Sequence, residues 1–209
     1  MSDVERPNSG EGRTDSSGPA EVDVPDWEDE YLDRVSDRLM FSYDLEKDYR
    51  AGGEYFDLFG TMHIETQKQF LHRSINFANH YMDEYLLARR TTSATRAEVE
   101  RLVDLADTLA TELIEGTEEH QGTDFTFVLV APHISDDVRS FVKSFSRRKL
   151  LKFGYHGHYE VHFVVVAPDE EDVVASEHAD VARAFTLWED PTTEPTPGLL
   201  TRVLRRLKR

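Results

Sequence analysis

Four side chains late in the chain have the types and spacing of a metal site. His156, His158, Glu160 and His162 alternate. Alternate residues of an extended strand share a face, so imidazoles two apart can converge on zinc or a similar ion. Gly157 and the flanking tyrosines fit a polar strand face opening on solvent as well. A second group is Asp57, Glu65 and Gln67. Carboxylates in such a group hold Mg²⁺ and activate water for phosphodiester cleavage. The plainer reading is a solvated strand face on an acidic protein. The third group is basic: Lys143, Arg147, Arg148, Lys149 and Lys152. It falls at the end of an expected helix, where cations favour the macrodipole, and where an anion or a partner could dock.

Other chemistry is excluded by absence. There is no G-x-G-x-x-G, G-x-x-x-x-G-K-[ST], H-E-x-x-H or G-x-S-x-G, so no cofactor is implied. With no cysteine there is no disulfide, thiolate zinc site or cysteine nucleophile. The longest apolar runs, Phe127–Ala131 and Phe163–Ala167, fall far short of the ~20 residues that span a bilayer. Met1 to Arg6 has neither the basic nor the apolar part of a signal peptide, so a soluble cytoplasmic protein is expected.

Charge sets the expected environment. The 41 acidic residues outnumber 24 basic ones, giving a net charge of −17. Only Lys47, Lys68, Lys143, Lys149, Lys152 and Lys208 are lysines. At molar salt the Debye length falls to about 3 Å, which screens such self-repulsion. Few lysines and many acids resemble the protein style of salt-loving archaea. In that setting nucleic-acid binding by charge alone is disfavoured, because counterion release weakens with salt.

The elements that must position these groups follow from periodicity. Residues 1–25 are rich in Ser, Gly, Pro and acids and are expected to be a disordered acidic tail. From Asp26, a candidate N-cap, Trp27, Tyr31, Val35 and Leu39 make a helical stripe that stops by Gly52-Gly53. The period then turns to two, with Phe56, Leu58, Met62 and Ile64 on one side. Further strands are expected near 69–79 and 84–89. Thr95 to Glu98 reads as a capping box opening a helix through Leu113. Phe125–Ala131 is apolar on both faces, Ser135 caps a helix, and a strand runs from His158 to Ala167. Ser176 caps a last helix.

Thr126 to Pro132 reads almost like His162 to Pro168, and strands apolar on both faces are central and parallel. The expectation is an α+β domain over residues 26–190 with a mixed sheet and the order α-β-β-β-α-β-α-β-α. It comprises a three-stranded antiparallel meander plus a βαβ unit.

Residues 191–198 form a Pro/Thr linker. In 199–209, Leu199, Leu200, Val203, Leu204 and Leu207 take one side of a helix and Arg202, Arg205 and Arg206 the other. Such a basic amphipathic helix would dock on an apolar groove, an unknown protein partner or a membrane surface.

Two resemblances bear on function. The helix, three strands, helix, strand order resembles the core of the PD-(D/E)xK nucleases. Glu65-Thr66-Gln67 is the one match to their E-x-K or E-x-Q element, and their lysine is absent. More broadly, Trp27 to Tyr31, Tyr55 to Gly60, Asp124 to Pro132, Lys152 to Tyr155 and Val164 to Pro168 resemble an uncharacterised family of small acidic haloarchaeal proteins. That family is a domain of unknown function and carries no active site across. The first expectation is therefore a non-enzymatic binding domain that docks through its C-terminal helix. The alternative is a metal-dependent phosphodiesterase using Asp57 and Glu65.

Overall fold

The computed structural model describes residues 25–67 and 79–189. The expected tail (apart from Pro25), the strand at 69–79 (apart from Asn79), the linker and the C-terminal helix lie outside the described residues.

Helix α1 (Glu30–Leu39) begins at Asp29, whose carboxylate accepts the Tyr31 and Leu32 amides. Glu30 and Asp33 stand in its first turn and Arg38 in its last, as the dipole favours. Strands β1 (Asp44–Ala51), β2 (Glu54–Gln67) and β3 (Asn79–Arg90) form the antiparallel meander. Helix α2 (Arg96–Leu113) returns the chain to β4 (His120–Val130), which pairs parallel with β3. Helix α3 (Asp136–Ser144), the short strand β5 (Arg147–Leu150) and a turn lead to β6 (His158–Ala167), parallel to β4. Strand β7 (Asp172–Ala175) and helix α4 (Ala182–Phe185) complete the described chain. The sheet order is β1-β2-β3-β4-β6, and β5 and β7 both pair antiparallel with β6. No helix among the described residues is long and apolar enough to cross a membrane.

The α+β class, a three-stranded antiparallel meander and the βαβ unit are as expected, but the meander is made of Asp44–Ala51, Glu54–Gln67 and Asn79–Arg90, and further differences have physical causes. The first helix ends at Leu39, and residues 44–51 are a strand. Leu45, Lys47, Tyr49 and Ala51 alternate with charges because β1 is an edge whose other face is wet. Gly52 and Gly53, at φ 54° and 84°, are the two-residue hairpin turn rather than a helix stop. The last helix shrinks to Ala182–Phe185. Thr95 caps α2 through the Glu98 amide, but the Glu98 carboxylate binds Arg89 instead of closing the capping box.

Strands β4 and β6 are apolar on both faces because both are covered. On one face Phe125, Phe127, Leu129, Phe163 and Val165 pack under Val99, Leu102 and Leu109 of α2 and Val142 of α3. On the other, Val128, Val130, Val164 and Val166 meet Leu32, Val35 and Leu39 of α1 and Phe185 of α4. The pairing of α1 with α4 is locked by the Tyr31 hydroxyl donating to the Phe185 carbonyl and by Arg38 donating to the Arg183 and Thr186 carbonyls. Phe56 joins the α2 side while Leu58 and Met62 join the α1 side, so the strict alternation expected in β2 breaks between them.

Candidate metal centre

The α1 face of the sheet is apolar over only half its length. The C-terminal halves of β4 and β6 place Val128, Val130, Val164 and Val166 there. Their N-terminal halves place Asp124, Thr126, His158, Glu160 and His162, since period two continues along each strand. The parallel register sets Asp124 opposite Glu160 and Thr126 opposite His162. A polar cluster thus stands at the edge of a core, where low dielectric strengthens the interactions between its groups and makes an unpaired one costly.

Asp124, Glu160 and His162 each offer a ligand atom within 4.8 Å of the others. His162 Nε2 lies 3.7 Å from Asp124 Oδ1 and 3.8 Å from Glu160 Oε2. Ligands about 2.0–2.2 Å from a tetrahedral ion are roughly 3.4 Å apart, so a contraction of a few tenths of an ångström brings His162 Nε2 to that spacing from each carboxylate. Asp124 and His162 are buried, at 3% and 4% exposure. His162 Nε2 is buried and makes no hydrogen bond, which costs free energy unless something binds it. His158 Nε2 stands 3.5 Å from Glu160 Oε1, and Arg148 Nη1 3.7 Å from the same oxygen. Both hold the Glu160 carboxylate in place, as outer-shell groups orient a ligating carboxylate.

The hydrogen bond from His158, then the charges of His162, His158 and Arg148, outweigh burial and push the Glu160 pKa down to about 2. A carboxyl lowered on folding stabilises the native state above its unfolded pKa. This contribution is lost as pH falls from about 4.5 toward 2. For a half-buried group, screening leaves on the order of 1 kcal/mol. Acid titration of unfolding should therefore show Glu160→Gln less stable than the parent at pH 6 and level with it near pH 2. An equal difference at both pH values would deny the shift.

The groups singled out in the sequence distribute unevenly. His158, Glu160 and His162 share a face. His156 does not join them, because Gly157 at φ 74° breaks the alternation. The His156 carbonyl accepts from buried His120 Nδ1, at 2.7 Å. Asp57 and Glu65 stand eight residues apart on β2, and at about 3.3 Å per residue that is roughly 26 Å. Asp57 Oδ2 accepts the Arg90 amide and its carbonyl accepts Trp27 Nε1. Glu65 is 69% exposed beside His63.

Most of the basic group is neutralised within the chain. Arg147 binds both oxygens of Asp107, which also receives the Tyr159 hydroxyl and lies 3.7 Å from Lys149. Arg148 pairs with Glu160. Lys143 and Lys152 are exposed, at the end of α3 and in the turn before β6.

Asp124 is the candidate ligand that sequence reasoning missed, and a signal for it exists. The echo that aligns Thr126 with His162 also aligns Asp124 with Glu160 two residues earlier. The residues of the expected C-terminal helix, 199–209, lie outside the described residues.

Neither a curated protein nor a solved structure matches this chain. Residues 28–187, which take in the strands and helices of the described residues and the Asp124, Glu160 and His162 cluster, match one family, and the chain belongs to it: Domain of unknown function (DUF8052).

Proposed function

We propose that this domain binds a divalent transition ion, Zn²⁺ or Mn²⁺, through Asp124, Glu160 and His162. The observation that carries the reading is a buried His162 Nε2 without a hydrogen bond, facing carboxylates from two neighbouring strands. Two carboxylates balance the charge of the ion, and one imidazole favours a transition metal over Mg²⁺. Three protein ligands leave a position for water, the arrangement of a centre that activates water rather than a closed structural one. Metal-dependent hydrolysis, first considered for Asp57 and Glu65, is thereby moved to the opposite half of the sheet. Docking through residues 199–209 remains a separate proposal that rests on the sequence pattern alone. The acidic composition supports a salt-rich cytoplasm as the setting.

Thermal unfolding in molar KCl tests the centre. An ion at 100 times its dissociation constant adds about 2.7 kcal/mol, or roughly 5–10 °C for a chain of this size. The gain should appear with Zn²⁺ or Mn²⁺, reverse with EDTA, and vanish in Asp124→Asn and His162→Gln. It should persist in Asp57→Ala/Glu65→Ala. A shift that ignores Asp124 and His162 would place the ion elsewhere, and no shift with either ion would end the reading.

A further inference from the structure

The turn between β5 and β6 carries the barest apolar surface among the described residues. Phe153 is 96% exposed, Tyr155 83% and Leu150 59%. Single exposed apolar residues are ordinary, but three within six residues mark a contact surface. The turn is not slack. Lys152, Phe153, Gly154 and Gly157 all take positive φ, at 42°, 58°, 93° and 74°. Its own amides hold it, with Leu151 N bonded to Gly157 O at 3.0 Å and Gly154 N to Leu151 O at 2.8 Å. Left-handed backbone at Lys152 and Phe153 is strained for residues with side chains, and such strain gathers where a ligand is met.

The two aromatics, Lys152, His156 and Glu118 line a pocket of about 770 Å³. That volume lies within the range of small-molecule clefts. Each lining group has a distinct use. Phe153 and Tyr155 offer faces to a planar ring. Lys152 makes no ion pair among the described residues and can meet a phosphate. Glu118 can accept from sugar hydroxyls. His156 Nδ1 is buried at the wall without a hydrogen bond.

We propose that this pocket binds a nucleobase carrying a phosphate group, the base stacking on Phe153 and Tyr155 and the phosphate meeting Lys152. Stacking supplies most of the affinity, because every base has a π-face and that contact tolerates salt better than charge pairing does. A lipid surface fits less well. Glu118 lines the pocket, and its carboxylate would face anionic headgroups. The proposal does not depend on the metal centre.

The test uses the full chain in EDTA, so that the metal centre takes no part. Binding of AMP followed by calorimetry, and of a fluorescein-labelled (dT)12 by anisotropy, separates a free nucleotide from a strand as the source of the base. Either supports the proposal if Phe153→Ala/Tyr155→Ala weakens it by about tenfold or more while the melting temperature holds. Phe153→Trp should retain binding. Lys152→Ala should weaken AMP but not adenosine. Binding unchanged in the double variant overturns the proposal, as does failure of both probes at millimolar concentration. Recovery on phosphatidylglycerol vesicles without binding of either probe also overturns it, in favour of a membrane.

Discussion

Arg89→Ala should lower the unfolding free energy by about 3–5 kcal/mol in a urea titration, the largest loss expected from one exchange of a charged residue. Arg89 is the last residue but one of β3, and its side chain is only 11% exposed. One guanidinium nitrogen is 2.5 Å from Glu54 Oε2 and the other 2.7 Å from Glu98 Oε1. Its plane covers the Phe56 ring at 5.5 Å. The fork therefore joins β2, β3 and the first turn of α2 in one contact. Removing it leaves the Glu98 carboxylate, 10% exposed, with the Thr91 hydroxyl and the dipole of its own helix. The loss is that of uncompensated buried charge, not of the ion pair as such. Arg89→Met with Glu98→Gln, which removes both charges and keeps the volume, should recover more than half of it. A loss below about 1 kcal/mol for Arg89→Ala would mean that the triad behaves as a surface pair.

This triad also shows where periodicity stops being informative. Helices α2 and α3 were legible because their apolar stripes and the caps at Thr95 and Ser135 agree. The paired cores on either side of β4 and β6 were legible in two runs that are apolar at every position. Glu98, by contrast, is placed correctly for a capping box and is drawn away by an arginine nine residues earlier. Spacing predicts a local partner, whereas the winning partner is set by the sheet.

The same distinction separates the centre's residues. His158, Glu160 and His162 share a face by the period of a strand alone. Asp124 enters through the register of two parallel strands, which no local pattern encodes. His156 leaves because one glycine takes a left-handed conformation. Strand β1 was hidden for another reason. Its alternation is between charges and half-buried residues, so the apolar signal is faint where solvent covers one face.

That glycine carries the second large effect. Gly157→Ala should cost on the order of 3 kcal/mol or more and abolish the metal-dependent gain in melting temperature. A Cβ at Gly157 would lie 2.5 Å from the Gln121 carbonyl oxygen and 2.7 Å from its carbon and from the His120 carbonyl oxygen. All three atoms are backbone, so no side-chain rotation relieves the contact. Either the start of β6 withdraws from the start of β4, or the φ of 74° is given up. Both routes disturb the pairing of Gly122 with His158, and with it the registration of Glu160 on Asp124. Gly53→Ala separates the two causes. Gly53 has φ 84° but nothing within 4 Å of its would-be Cβ, so it pays only the conformational penalty of about 1–2 kcal/mol. It should also leave the metal response intact, being at the hairpin of β1 and β2. If the two variants lose equal stability, the close approach at Gly157 is not what holds β6 in register. If Gly157→Ala unfolds the domain further yet still responds to the ion, then Asp124 and His162 converge without help from the turn.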